Sequence, residues 1–388
     1  MRVLHTADWH LGRTLEGRSR IPEYIAFFQE LEQIIKSEAI DVLLMAGDVF
    51  DSVNPPAAAE EMFYETIARL NRVYNVSVVI IAGNHDHPAR ISAVRSIAKN
   101  QGIYILGYPT MTPVRIPVGE EVLEIGALPY PSESRMGDLF SKEPEEEGLR
   151  EAYNEKIRYM FHELTRSFQK NHVGMAMSHL FVAGGAASDS ERPIEVGGAY
   201  TVTVDALPDN VQYTALGHLH RPQTLKGSKG IARYSGSPLA FSFSESGYAK
   251  SVTVVDVKPG STPHIEEIPL SSGKPLVRWK AVHGLEEVYQ WLAEEKDKQA
   301  WVDVEIHLHD TPSLEQIHHI RKAHEGIIHI HPVFLGMEQS SSTREREELS
   351  MEDLFQRFYE RQTGGAQPTD ELTRLFLELI EEEESEED

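Results

Sequence analysis

The sequence predicts an α/β protein followed by a small α+β domain and a pair of C-terminal helices. Three observations carry this. Short apolar runs alternate with helical patterns in a βαβ rhythm over the first part of the chain. A serine-glycine-proline break, Ser271-Ser272-Gly273-Lys274-Pro275, is followed by a compact strand-helix alternation. Two apolar stripes of helical period then follow a second polar linker. Val3 to Ala7 reads as the first strand, and Phe28, Leu31 and Ile35 recur at helical spacing after it. Asp41 to Ala46 is a buried strand, and Pro55-Pro56 opens a helix carrying Met62, Phe63, Ile67 and Leu70, with proline where a missing N–H is harmless. Further strands are expected at Val76 to Ala82, Val173 to Met177 and Val211 to Leu216, with hairpins around Val122 to Leu128 and Lys250 to Val257. This first domain spans 1–270. A second, 275–335, reads strand (Val277 to Val282), helix (Leu285 to Lys296), strand (Trp301 to Leu308), helix (Leu314 to Ala323), strand (Ile327 to Phe334). A linker at 336–348, a helical segment at 349–381 and an acidic tail at 382–388 complete the expected organisation.

Composition narrows the function classes. With 388 residues and 40% apolar content the chain can bury a full core. It has no cysteine, which rules out a disulfide framework, a zinc ribbon or an iron–sulfur cluster, so any metal must sit on His, Asp, Glu or Asn. No apolar run approaches the roughly 18 residues of a membrane span, so no membrane association is expected and the cytoplasm is the expected compartment. The net charge of −24 argues against a nonspecific basic coat for nucleic acid. Much of the acid, however, lies in Glu145-Glu146-Glu147 and in Glu381 to Asp388, so the mean says little about any one cleft.

The polar residues that follow the strands carry the chemistry. The first strand runs into Asp8-Trp9-His10, the second into Gly47-Asp48-Val49-Phe50-Asp51, the third into Gly83-Asn84-His85-Asp86. Later strands end in Ser178-His179 and Gly217-His218-Leu219-His220. Five strands thus bring Asp, His and Asn to their carboxyl ends, the edge of an open α/β sheet where ligands bind. Oxygen ligands mixed with imidazole suit Mn²⁺, Fe²⁺ or Zn²⁺. The set Asp8, His10, Asp48, Asn84, His179, His218 and His220 is too large for one ion and suits two that share a carboxylate. Such a pair polarises a phosphoryl group and acidifies a bridging water, which fits in-line attack on phosphorus.

The ordered set D-x-H, GDxxD, GNHD and GHxH resembles the calcineurin-like metallophosphoesterase superfamily. Asp8-Trp9-His10-Leu11-Gly12-Arg13, Gly47 to Asp51, Gly83 to Asp86 and Tyr234-Ser235-Gly236-Ser237-Pro238-Leu239 are similar to its bacterial DNA-end-processing nuclease subunits. The resemblance implies a β-sandwich flanked by helices, with a capping domain that binds DNA and a helical tail that docks an SMC-like ATPase. It implies two divalent ions, most simply Mn²⁺: one on Asp8, His10, Asp48 and His220, the other on Asp48, Asn84, His179 and His218, with Asp48 as the bridge. By the same resemblance His85 is not a ligand but donates to the phosphate or leaving oxygen, and Asp86 orients it. The implied activity is Mn²⁺-dependent exonuclease action on double strands and endonuclease action on single strands and hairpins, in DNA repair, recombination and replication. A heterodimer or heterotetramer with the ATPase is implied, and a homodimer is left open. The role of Asp51 stays open, because eukaryotic relatives often carry histidine at that place.

Arg13, Arg18, Arg20, Arg90 and Arg221 flank the metal loops and are the candidate contacts to DNA phosphates. In the tail, Met351, Leu354, Phe355 and Phe358 fall on one helical stripe, and Leu372, Leu375, Phe376 and Leu379 on another. Leu354, Phe355, Phe358, Leu372, Phe376 and Leu379 are the docking candidates, on the expectation that two such stripes behind a free linker need a partner's groove. Two other functions share the metal loops: a phosphoesterase acting on small substrates, such as a cyclic-nucleotide phosphodiesterase or phosphatase, and a metal-dead scaffold. The capping domain and tail count against the first, the intact ligand set against the second. His307, His309, His318, His319, His324, His329 and His331 cluster in the small domain. His307/His309 and His329/His331 are i, i+2 pairs on one strand face, as metal sites use, but no carboxylate or cysteine spacing accompanies them, and solvent-facing strand positions account for them equally well.

Overall fold

The structure, a computed structural model, describes residues 1–132, 146–191, 200–334, 352–356, 359, 367–369 and 372–377. Two six-stranded sheets pack face to face. The first runs His264–Pro269, Ser251–Asp256, Arg2–Thr6, Val42–Ala46, Ser77–Ile81, Ile103–Leu106, the last four parallel to one another. The second runs Gln223–Thr224, Ile231–Tyr234, Tyr213–Gly217, Val173–His179, Glu121–Leu128, Val114–Val118, with its four inner strands parallel. Strand residues alternate in direction, so Leu44, Ala46, Val79 and Ile81 enter the space between the sheets and meet Ile125, Met175, Met177 and Tyr213. Their neighbours Leu43, Met45, Val78 and Ile80 point outward under the helices Ile21–Ser37 and Ala57–Tyr74, against Phe27, Leu31, Phe63 and Leu70. On the far side the helix Glu146–Thr165 covers Leu128, Ala176 and Leu216 with Tyr153, Ile157 and Phe161. Burial on both faces is why these strands read as unbroken apolar runs.

The two packed sheets are the β-sandwich that the resemblance implies. The apolar runs by themselves read as one open sheet edge, whereas three of the five site-bearing strands belong to the first sheet and two, Val173–His179 and Tyr213–Gly217, to the second. Nothing in an unbroken apolar run tells which sheet a strand joins. At Gly217 the second sheet lies against the first so tightly that a Cβ would strike the Ala46 carbonyl, so only glycine fits.

A third sheet, Leu276–Ala281, Trp301–Leu308, Ile327–Phe334, is parallel throughout and covered on one face by the helices Leu285–Ala293 and Leu314–Ala323. The first of these helices ends three residues before the expected Lys296, because Glu295 and Asp297 adopt left-handed backbone (φ 52° and 49°). Ser271 to Pro275, expected as a linker, is tied down: Ser271 N and Oγ and Ser272 N donate to Glu30, and Lys274 N donates to Glu23 Oε2 at 2.8 Å. Trp301 Nε1 donates to the same Glu23 at 3.0 Å. The segment 336–348, the tail 382–388 and residues Met351, Phe358 and Leu379 lie outside the described residues.

In the tail, Phe355 and Phe376 stack at 4.1 Å between centroids with planes 14° apart, so the two stripes touch at that pair. Leu354 and Leu372 are half-buried, whereas Leu375 stays 51% exposed.

Candidate metal centre

Tight backbone turns aim the ligands. Asp8, His10 and Asp48 all have positive φ (54°, 46° and 50°), a conformation disfavoured for side-chain-bearing residues and common where a site dictates the turn. The first two loops are sewn together: Asp8 N donates to Gly47 O and His10 N to Asp48 O, each at 3.0 Å. His218 N donates to Asp8 Oδ1 at 2.9 Å, so the second sheet's loop is fixed on the first sheet's carboxylate.

Two groups of ligand atoms share Asp8, Asp8 with His10 and His220 and Asp8 with Asp48 and His179, and a third brings His10 together with Asp51 and His85, the atoms of each group within 4.8 Å of one another. His10 Nε2 and His220 Nε2 face each other at 3.1 Å, and Asp48 Oδ2 lies 3.6 Å from the former and 3.3 Å from His179 Nε2. Asn84 Oδ1 sits 2.8 Å from the same His179 nitrogen. His179 Nδ1–H donates to the Ala46 carbonyl at 2.9 Å, and His220 Nδ1 is held by Ser190 Oγ at 2.5 Å, so both rings keep Nε2 for the centre. By proximity Asp8 touches the first two groups, where the sequence reading gives that place to Asp48 alone. His218, buried with its ring 5.4 Å from that of His179, joins none of these groups.

The residues fit divalent cations. Buried carboxylates and imidazoles converge with their nitrogens facing one another, an arrangement without net benefit unless a cation or protons lie between them. Electrostatics says the same. Burial raises the Asp8 carboxyl well above its ordinary range, and burial lowers His10 to about 4. Burial also pulls His179 down, but the Asp48 charge, its hydrogen bond and Asp8 outweigh it and lift the ring to about 9. Without metal, a proton on His179 therefore offsets carboxylate charge in the pocket at pH 7. For His179 the raised value stabilises the metal-free fold fully below its ordinary 6.5, and that contribution is lost as pH rises through about 9. Metal uptake must expel that proton. We expect Mn²⁺ binding at pH 7 to release at least one proton, read from titration heats in buffers of different ionisation enthalpy. The apparent affinity should rise about tenfold per pH unit below 9. Heats that do not vary with buffer would contradict this charge arrangement.

His85 stands beside the centre. Its N–H donates to Asp48 Oδ1 at 2.9 Å, its Nδ1–H to the Asp51 carbonyl at 2.7 Å, and its ring lies edge-on to His10 at 4.7 Å. The ring is thus oriented by Asp51, not by Asp86 as expected. Asp86, fully buried, accepts from Gly83 N (2.8 Å), Phe50 N (3.0 Å) and Val49 N (3.2 Å), fixing two metal loops to each other. The side chain of Asp51 reaches His10 Nδ1 at 3.4 Å and Arg13 at 3.7 Å.

The arginines divide. Arg13 lies over the Phe241 ring at 4.7 Å and donates to the Ser190 carbonyl, at the rim of the centre. Arg221 is exposed and lies over Tyr248 at 5.4 Å. Arg20 is a correction: it is fully buried in a two-pronged pair with Glu23 (2.9 and 2.6 Å) and also donates to Ala240 O, so it has no face for a phosphate. Arg18 donates to the carbonyls of Glu325 and Ile327, at 2.7 and 3.2 Å, clamping the third sheet. Arg90 is held by both oxygens of Glu60 at 2.8 Å.

Sequence reasoning missed the residues behind His220. Glu191 Oε1 accepts from His220 N at 2.8 Å, and Lys250 Nζ, buried and paired with Glu245, donates to His220 O at 3.0 Å and Ser237 Oγ at 2.8 Å. The only signal was Ser237 in the Tyr234 to Leu239 stretch, since Glu191, Glu245 and Lys250 lie in loops without periodicity.

Residues 1–222 match the family model described as calcineurin-like phosphoesterase, and residues 272–363 match SbcD_C, described as type 5 capsule protein repressor C-terminal domain. The chain is 55% identical over 393 residues to SbcD of the nuclease SbcCD from Bacillus subtilis (strain 168), covering 99% of this chain and 100% of that one. It is 36% identical over 297 residues to the protein of the same name from Rhodobacter capsulatus, covering 72% of each. Against that of Escherichia coli (strain K12) it is 28% identical over 386 residues, covering 92% of each. No helix among the described residues is long and apolar enough to cross a membrane.

Proposed function

Since this chain belongs to the SbcD family of nuclease subunits, built on the calcineurin-like phosphoesterase domain, we propose that it cleaves DNA with two Mn²⁺ ions as the partner of an SbcC-type ATPase. The chain is a hydrolase of the phosphodiesterase class. One observation supports the reading above all others: of the seven expected ligand positions, spread over 213 residues of sequence (Asp8 to His220), five (Asp8, His10, Asp48, His179 and His220) fall in groups whose ligand atoms lie within 4.8 Å of one another, with Asn84 against His179. Asp8, His10, Asp48 and His220 would hold one ion; Asp48, Asn84 and His179, with His218 beside them, the other. Such ions supply an acidified water and polarise the phosphoryl oxygens. Asp86 keeps the Asp48 and Asn84 loops in register through their amides. Because the Asp51 carbonyl takes His85 Nδ1–H, Nε2 is the atom left for substrate, and only the imidazolium carries a proton there to give to the leaving oxygen. Arg13 and Arg221 are the arginines placed to meet DNA phosphate, with residues 275–335 as the capping, DNA-steering domain. Cytoplasmic DNA repair, recombination and replication is the setting we infer.

The deciding experiment compares hydrolysis of single-stranded, blunt and hairpin DNA with that of a cyclic dinucleotide and bis-p-nitrophenyl phosphate, with the full chain and Mn²⁺. Preference for DNA supports the nuclease reading. Equal or better turnover of the small diesters favours a small-substrate phosphoesterase, and inertness to all of them a scaffold.

The helical segment 349–381, behind the linker 336–348, is proposed as the SbcC dock. Among the described residues Leu375 is the exposed apolar residue of the second stripe, while Phe355 and Phe376 stack across the helix pair. A chain ending at Gln339 should retain metal-dependent cutting of short single strands, fail to copurify with SbcC, and lose ATP-stimulated cutting of duplex ends. Leu375→Glu should weaken copurification without disturbing the Phe355–Phe376 stack. Normal SbcC binding by the truncated chain would refute the docking role.

A further inference from the structure

The histidines of the third sheet are not all idle solvent-facing residues. His329 and His331 are two apart on the strand Ile327–Phe334, so both rings leave the same face. The parallel register sets Asp303 opposite His329, after a bulge between Val302 and Asp303 that brings the two patterns onto one face. That face is the one turned away from the covering helices, since Val302, Val304 and Ile306 point into the apolar core. A carboxylate 26 residues earlier in sequence thus reaches the histidine pair, which corrects the expectation that none accompanies it.

Asp303 Oδ1 lies between the rings, 3.0 Å from His331 Nε2 and 3.9 Å from His329 Nδ1. One ligand atom from each of the three residues lies within 4.8 Å of the other two. Nitrogen and oxygen ligands at about 2.0–2.1 Å from a tetrahedral Zn²⁺ are about 3.4 Å apart, between the two separations observed. Two further features point to a cation. Asp303 Oδ1 is sealed from solvent and has no aligned hydrogen-bond donor, although the other oxygen, Oδ2, is 3.6 Å from Arg278 Nε. Behind His329, its Nε2 faces Glu16 Oε2 at 3.9 Å, the side from which a carboxylate orients a ligating imidazole. Its ring leans on Phe243 at 5.9 Å.

We infer that Asp303, His329 and His331 form a binding site for a Zn²⁺-type divalent cation, separate from the phosphoesterase centre, with Glu16 positioning His329. Two imidazoles and one carboxylate are a donor set that Zn²⁺ accepts and that leaves a fourth position for water. Glu16 sits in the turn between the short strands Thr14–Leu15 and Arg18–Ser19, just after the first metal loop. An ion here would join that hairpin to the third sheet, adding to the clamp Arg18 makes on Glu325 and Ile327.

The test is equilibrium dialysis of the full chain against micromolar Zn²⁺, with metal analysis of the protein. Wild type should retain one more Zn²⁺ per chain than His331→Ala or the double substitution His329→Ala with His331→Ala. His331 is more than half exposed, so its single substitution leaves the core untouched. Asp303→Asn should lose the same ion. Glu16→Gln should keep it with affinity about 10–100-fold weaker. In all four proteins Mn²⁺ content and Mn²⁺-dependent hydrolysis of bis-p-nitrophenyl phosphate should equal wild type. Equal Zn²⁺ content in wild type and His331→Ala, or a difference seen only at millimolar Zn²⁺, overturns the assignment.

Discussion

Asp48→Asn should abolish Mn²⁺ binding at neutral pH and reduce hydrolysis by at least about 10³-fold, while leaving the fold intact. The reasoning rests on position. Asp48 Oδ1 accepts from His85 N, and Oδ2 lies within 3.6 Å of both His10 and His179. An asparagine can keep the first bond, but its amide hydrogens would then face the nitrogens that must meet metal. Losing the carboxylate also removes the charge that holds the His179 ring up at about 9. The substitution is isosteric and lies on a loop beyond the strand Val42–Ala46, so far-ultraviolet circular dichroism and the Tm in EDTA should stay near wild type. The sharpest readout is the Tm with Mn²⁺: wild type should rise by linkage, the variant should not. Retention of both ions per chain with near-normal rates would show that Asp48 does not bridge them.

His85→Gln should do the opposite to metal. It should keep Mn²⁺ at wild-type occupancy and lose about 10²-fold or more in kcat, the usual worth of a positioned proton donor. Glutamine can still offer a backbone N–H to Asp48 Oδ1 and a side-chain amide toward the Asp51 carbonyl, but no imidazole Nε2–H to give to the leaving oxygen. A leaving group that needs no proton, p-nitrophenolate, should recover most of the loss. Metal loss in step with rate would make His85 a ligand, and an equal loss with the p-nitrophenolate leaving group would remove it from proton transfer.

The ligand types and their order, from Asp8-x-His10 to Gly217-His218-x-His220, are local in sequence, because each pair stands on one turn after one strand. So were the apolar runs and stripes, since period and burial on one or two faces are properties of a short segment. For that reason the α/β class, the third sheet's strand–helix alternation and the candidate metal ligands were legible without coordinates.

What tertiary structure decided were contacts between segments distant in sequence. Division of the strands between two sheets followed from packing, which an unbroken apolar run does not encode. Arg20 was drawn off the surface by Glu23 and Ala240, and His85 was oriented by Asp51 instead of Asp86. The support of His220 by Ser190, Glu191 and Lys250 comes from loops 30 residues to either side of it. Asp303 reached His329 and His331 only through a strand register set by a bulge. Sequence by itself determined which side chains could do metal and phosphate chemistry, because that is a matter of functional groups and local spacing. Folding decided which of them meet and which become structural, because long-range pairing depends on the sum of all packing free energies and not on any one segment.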